Sequence, residues 1–340
     1  MNHMYREQQS MRAHYLSTAM AVGLLATMLI ASPASAQQWT PLDIIDVNTH
    51  PLDENPRFGA RSKSVLYTPT GGSLIYAEFS PSWNMNQHYD RIGPHYHHWN
   101  EWAYFLRGDF VIHEPVTPGQ VNPPVYRFTE GTWLDRPAYS LHGGHWETGG
   151  IRSQNPVIML LFEEGDGSVV TLGEQGDHFK PDFPDSRPQP YLPDWRVATD
   201  FPRAWIVNTA HEMEWEHDPT MPGRMVKWLS DNRSGGFRAQ LVKIPPGWTP
   251  PAGTLPTYYD KGHVLRYMLF GSMNVWQFDG REPGEVVEVG ENVLVHQRAR
   301  GIWGYGEGPI TQDGAVWLEV TYAGELEHGH GPIPEPGVVD

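Results

Sequence analysis

The chain contains no cysteine in 340 residues. Disulfides, iron–sulfur clusters and thiolate zinc sites are therefore excluded, and a metal would have to be held by His, Asp, Glu, carbonyl oxygen or water. Basic residues are scarce: 24 Lys and Arg stand against 40 Asp and Glu, a formal charge of −16. That balance argues against nucleic acid and anionic membrane surfaces as partners, and reads first as solubility. Long helical runs of Ala, Glu, Lys and Leu are also missing. What is abundant is 35 Gly, 31 Pro and 14 Trp, a turn-rich and aromatic composition that predicts a mostly β architecture. The length suggests about two domains, and 39% hydrophobic content is enough to bury a core in each.

One apolar run stands out, residues 19–30, preceded by Arg6 and Arg12 and followed by the small-x-small triplet Ala34-Ser35-Ala36. It predicts a signal peptide over residues 1–36 with Gln37 as the mature start. An uncleaved anchor is the alternative, although the run is short for a membrane span. Met11-Arg12 offers a more compact start. Removing residues 1–36 takes away Arg6, Glu7 and Arg12 and leaves a charge of −17. No twin-arginine pair precedes the run, so the expected route is general secretion to the periplasm or medium, with metal acquired after export. No second run of spanning length follows, and the mature chain is expected to be soluble without a membrane partner.

The rest of the chain resembles itself. Gly71-Gly72-Ser73-Leu74 through Trp83 is echoed by Gly235-Gly236-Phe237-Arg238 through Trp248. Val47-Asn48-Thr49 is echoed by Val207-Asn208-Thr209, and Tyr104 to Gly108 by Met268 to Gly271. The shared order and the offset of 160 to 165 residues predict two homologous domains rather than a solenoid. Their expected spans are 37–179 and 203–340. A linker over 180–202 joins them, where six prolines (Pro181, Pro184, Pro188, Pro190, Pro193, Pro202) forbid a central strand. Within each half, short apolar segments between turn signals predict an antiparallel sandwich or barrel.

Chemistry concentrates at residues 95–108: His95-Tyr96-His97-His98-Trp99-Asn100-Glu101, six further residues, then Gly108. On an extended strand His95, His97 and Glu101 share one face and His98 takes the other. On a helix a residue two positions on lies roughly 200° round, and the convergence fails. Two imidazoles and a carboxylate aimed together predict a metal site. A second cluster follows about 40 residues on: Gly131, suited to a hairpin turn, Pro137, suited to a strand edge or bulge, and His142, a candidate fourth donor.

Together these clusters resemble the two motifs of the cupin superfamily. In the first motif, G-x5-H-x-H-x3,4-E-x6-G, the matching residues are His95, His97, Glu101 and Gly108, while Gly93 is displaced from the leading glycine. In the second, G-x5-P-x-G-x2-H-x3-N, they are Gly131, Pro137 and His142, with Tyr139 in place of the middle glycine and Trp146 in place of the final asparagine. The resemblance implies an all-β fold of two tandem small antiparallel barrels of jelly-roll type. It also implies one divalent ion (Fe, Mn, Zn, Ni or Cu) on His95, His97, Glu101 and His142. Four protein ligands in an octahedral shell leave two positions for a small-molecule substrate, alone or with dioxygen. No organic cofactor is called for, and no catalytic acid or base is assigned.

The second half lacks this equipment. Aligning Gly271 with Gly108 puts Tyr258, Asp260 and Val264 at the positions of His95, His97 and Glu101. Aligning Gly290 with Gly131 puts His296 at the proline position and Gly301 at that of His142. Only Asp260 could bind a metal there, since His263 has the wrong parity. This half is expected to be metal-free, covering the first barrel as a built-in partner, with an organic ligand as the alternative use of the lost site. In the first half Ala103 and Phe105 share the parity of Glu101, and Trp102 and Tyr104 face away. Trp133, Tyr139 and Trp146 are core residues or an aromatic wall, and Asp135 and Arg136 are candidate polar pocket groups. His113 is a candidate neighbour of the ligands, His145 lies opposite His142, and His328 and His330 read as a solvated tail.

The leading functional reading is an exported metal-dependent dioxygenase acting on a small aromatic or carbonyl compound. The alternatives are a non-redox lyase, isomerase or decarboxylase, and a bicupin that binds a ligand without catalysis. The duplication reduces the need for a homo-oligomer without excluding one.

Overall fold

The computed structural model describes residues 39–55, 59–67, 73–84, 95–114, 124–143, 151–164, 170–171, 203–233, 236–323 and 332–339. The expected signal peptide, the proline-rich linker, and His145, Trp146, His328 and His330 lie outside the described residues. The expectation of an all-β chain holds: the one helical segment among the described residues is a single 3-10 turn, Val47–Thr49.

Two seven-stranded antiparallel sheets dominate. The first runs Trp205–Asn208, Thr132–Arg136, Glu101–Arg107, Val157–Glu163, Ser73–Phe79, Ala60–Tyr67, Asp53–Asn55. The second runs Asp43–Asp46, Val293–Gln297, His263–Gly271, Ala315–Tyr322, Phe237–Ile244, Met225–Asn232, Glu216–His217. Position by position the second order repeats the first. Each sheet takes its first strand from the other half of the sequence. Trp205–Asn208 pairs with Thr132–Arg136, and Asp43–Asp46 pairs with Val293–Gln297. The exchange covers one edge of each sheet with the opposite half.

The central strands of each sheet are buried on both faces, which is why a strand such as Glu101–Arg107 reads as a continuous run rather than an alternation. Its odd residues Ala103 and Phe105 enter the interior of the first barrel with Ala77, Leu134 and Phe128. Its even residues Trp102 and Tyr104 face away, into a core shared with Leu229, Phe237, Leu265 and Leu318 of the second half. Trp102 stacks on Phe237 with ring centroids 3.6 Å apart. A third cluster, with Val242, Met268 and Trp317, fills the second barrel.

Gly108 and Gly271 mark the same turn in both halves. Gly108 has φ +108°, and a Cβ there would lie 2.4 Å from the Pro156 carbonyl oxygen. Gly271 has φ +70°, and a Cβ would lie 2.0 Å from that of Gly314. Positive φ and close backbone approach both demand glycine.

Candidate metal centre

His95 belongs to a two-residue strand, His95–Tyr96, paired with Val170–Thr171. The chain then leaves the extended conformation through a bend at His98 and Trp99, and Glu101 begins a strand of the large sheet. The expectation of one continuous strand carrying all three donors is therefore corrected, because the bend rather than strict alternation brings them together. Buried Asn100 fixes that bend: its Oδ1 accepts from the Ala138 backbone N–H at 2.9 Å, and its Nδ2 donates to Glu164 at 3.0 Å. His142 is held to His95 by reciprocal backbone hydrogen bonds of 2.8 and 2.9 Å.

The outcome is a cluster of three buried imidazoles. His95, His97 and His142 each present a ring nitrogen, and the three lie within 4.8 Å of one another, the one such group among the described residues. The His142 Nδ1–H donates to the Ser140 carbonyl oxygen at 3.0 Å, which leaves Nε2 as the ligating nitrogen. Burial first, and then Arg136 and the other two histidines, hold the His142 pKa well below its ordinary value, so the ring is neutral and able to ligate.

Glu101 completes the centre from one side. Its Oε2 lies 3.4 Å from His97 Nε2. Its Oε1 accepts from Arg136 Nη1, in a pair buried on both sides. Burial alone would raise the Glu101 pKa, but Arg136 and then His97 outweigh it and bring it down to about 2, so the carboxylate is ionised. Arg136 also donates from Nη2 to Glu114 Oε1 at 2.6 Å. One guanidinium thus clamps two buried carboxyl groups. Burial, against the opposing pull of Arg136, raises the Glu114 pKa.

This donor set fits a divalent ion: neutral imidazoles, an ionised carboxylate, and hydrogen bonds that orient them from behind. His95, His97 and His142 would hold it, with Glu101 Oε2 adjoining. His98 is exposed, as its parity implied. His113 is buried, and its carbonyl oxygen accepts from Gly143 N–H at 3.1 Å.

Arg136 stands at the centre as a candidate pocket group, but Asp135 does not, and Trp133 is a core residue, one of the two readings its sequence offered. Both point to the junction between the halves, where Trp133 Nε1 donates to Ser230 Oγ at 3.1 Å and Ser230 Oγ donates to Asp135 at 2.5 Å. Tyr139 takes φ +68°, the left-handed conformation that suits the glycine it replaces, and its ring packs near Tyr96 and His98. Glu114 and Asn100 carried no signal in the sequence. Only their burial on the barrel side reveals them.

No family model matches the chain, and neither does any curated protein. Solved structures do. A "putative dioxygenase" of Nostoc punctiforme superposes with a TM-score of 0.56 at 14% identity, covering 86% of this chain and 87% of that one. YlbA of E. coli gives 0.52 at 12% identity, over 84% and 93%. The oxalate decarboxylase of Lactobacillus farciminis, solved as a formate complex, gives 0.52 at 14% identity, over 87% and 88%. The chain has a bicupin fold.

Within the bicupin, backbone geometry fixes which residues correspond. The His95–His142 backbone pair is repeated by Thr257 and Trp303, at 2.8 Å in both directions. The bond from Tyr139 N–H to the His97 carbonyl is repeated by Arg300 and Tyr259, and Arg300 likewise has positive φ, +63°. The pairing of Glu101 with Arg136 is repeated by Val264 with Gln297. The four ligand positions in the second barrel therefore hold Thr257, Tyr259, Val264 and Trp303. This corrects the sequence alignment, which had Tyr258 and Asp260 in the first motif and Gly301 in the second. One extra residue between Tyr259 and Val264 displaces the first. Asn292, not Gly290, occupies the place of Gly131: its φ is +62°, and its N–H bonds the Met268 carbonyl as that of Gly131 bonds Phe105, both at 2.9 Å. Asp260 is 68% exposed and ion-paired with Arg300 at 2.9 Å, so it is no remnant ligand.

Proposed function

We propose that this bicupin is an exported metal-dependent enzyme whose chemistry resides in the first barrel, and that it acts as a dioxygenase on a small aromatic or carbonyl compound. The observation that carries this reading is the convergence of three buried imidazoles beside an ionised Glu101. A bound redox-active divalent ion would supply Lewis acidity and electron transfer to dioxygen. The chain's residues supply the rest. Neutral imidazoles leave net positive charge on the ion and favour an anionic oxygen donor such as an enolate or phenolate. Trp99, with its ring centroid 5.0 Å from that of His97, offers an aromatic surface. Its indole N–H is buried without an acceptor and is available to a substrate oxygen. Burial excludes water from the centre.

A second reading, a non-redox decarboxylase or isomerase, has one observation in its favour. Glu114 is a buried carboxyl with a raised pKa and an unpartnered Oε2, held beside Glu101 by Arg136. A carboxyl that burial disposes to hold a proton is suited to the carbon protonation that follows loss of carbon dioxide. Metal analysis of protein exported and purified without added metal, followed by turnover of phenols and diketones, separates the two. Iron with dioxygen uptake supports the first reading. Manganese or zinc with turnover under argon supports the second and overturns the first.

A further inference from the structure

The second barrel has lost its ligands but not its polarity. Across the inner face of the first barrel, the paired row is Ile75, Leu161, Ala103. Its counterpart in the second is Gln240, Glu319, Arg266. Glu319 accepts from Arg266 Nε at 2.8 Å and from Gln240 Nε2 at 2.6 Å, and Arg266 donates to Gln297 at 2.9 Å while lying 3.9 Å over the Trp303 ring. Taken alone, this satisfied network would be a polar plug.

Arg238 is not satisfied. Two residues before Gln240 on the same strand, it shares that inner face. It donates to Gln240 Oε1 at 3.2 Å, and its guanidinium lies 4.1 Å over the Trp228 ring. Its Nε is buried without a partner. Among the described residues no carboxylate lies within ion-pair distance of it. The neighbouring arginines are matched: Arg266 with Glu319 at 2.8 Å, Arg224 with Asp218 at 2.5 Å, Arg233 with Asp231 at 3.0 Å. One partly buried cation is left with no direct ion-pair partner, an arrangement that favours recruitment of an anion. Trp228, Arg238, Tyr259 and Glu319 are half-buried rather than sealed, so each keeps part of its surface open to solvent. Tyr259 stands where His97 stands in the first barrel, and burial and then Glu319 raise the pKa of its phenol.

We propose that the second barrel binds a small planar carboxylate, with Arg238 as its charge partner and Trp228 and Tyr259 flanking it. The planar guanidinium fork matches a carboxylate in geometry as well as charge. The site is separate from the metal centre and does not depend on the reaction proposed there.

The test uses benzoate as the probe, with benzamide as its uncharged counterpart, on the full mature chain. Titration calorimetry is run on the wild type and on a His95→Ala/His97→Ala variant that removes the metal site. We expect one saturable benzoate site in both proteins and none for benzamide. Arg238→Gln should weaken binding roughly tenfold or more, and Tyr259→Phe should weaken it less. Melting curves with and without benzoate check each variant for folding, and Arg238→Gln should lose the ligand-induced rise in Tm that the wild type shows. Three results each overturn the proposal: no saturable binding to the wild type, binding that disappears with the histidines, or unchanged affinity in Arg238→Gln. If Arg238→Gln does not fold, the decision falls to the histidine variant and Tyr259→Phe: loss of the site in the first, or unaltered affinity in the second, rejects it.

Discussion

Arg136 and Glu101 stand directly opposite each other on adjacent strands and share an ion pair buried on both sides. The same guanidinium reaches Glu114, so one cation compensates two carboxyl groups away from water. Removing it strands both. Arg136→Met is expected to cost about 3–5 kcal/mol in the metal-free protein. A divalent ion would take over part of the compensation of Glu101, so the loss should be smaller when metal is bound. Thermal melts of wild type and variant, each with chelator and with saturating metal, read the difference directly. An equal loss in both conditions would show that Glu101 does not face the ion.

Metal content should follow the three imidazoles. His95→Ala, His97→Ala or His142→Ala is expected to lower bound metal from one per chain to a small residue, as measured by elemental analysis after gel filtration. Asp260→Ala should leave it unchanged, because that side chain is exposed and paired with Arg300. A halved stoichiometry in Asp260→Ala would mean a second site.

The main outline of the fold, the three clustered imidazoles and the neighbouring Glu101 were legible, for different reasons. Strand periodicity and the 160-residue echo depend on local sequence, and local sequence carries them. His95, His97 and His142 are recognisable because few residue types bind metals. The bend at His98 and Trp99 was not legible, because it is set by Asn100 bonding to Ala138 and Glu164, contacts made across the barrel. The Arg136 clamp was half legible: the residue was a candidate, but its register against Glu101 depends on strand pairing. The exchange of first strands between halves left no signal, since Asp43–Asp46 and Trp205–Asn208 read as ordinary short strands whichever sheet receives them.

Asp135 gives the junction between the halves a pH dependence. Burial raises its pKa to about 7, against the opposing hydrogen bond from Ser230. A carboxyl that is harder to ionise when folded favours the folded state while protonated. Its contribution is full below the unfolded value near 4 and is lost as pH rises through about 7. That loss is on the order of 4 kcal/mol. Urea unfolding across that window should show stability falling with pH in the wild type, and a visibly flatter profile in Asp135→Asn. Parallel profiles would place the titrating group elsewhere.

The glycine turns separate conformational strain from steric clash. Gly108 and Gly280 both have positive φ, +108° and +64°, but a Cβ on Gly280 meets nothing within 4 Å, whereas one on Gly108 lies 2.4 Å from a backbone oxygen. Gly280→Ala should therefore cost only the left-handed penalty, about 1 kcal/mol. Gly108→Ala must in addition displace the start of Val157–Glu163, the strand that pairs with Glu101–Arg107, and should cost about 3 kcal/mol or more. Because Val157–Glu163 is the direct neighbour of the strand that carries Glu101, Gly108→Ala should also weaken metal binding, while Gly280→Ala leaves it intact. Chemical denaturation with a parallel metal titration checks both. Equal costs in the two variants would show that the Pro156–Val157 backbone yields without disturbing the barrel.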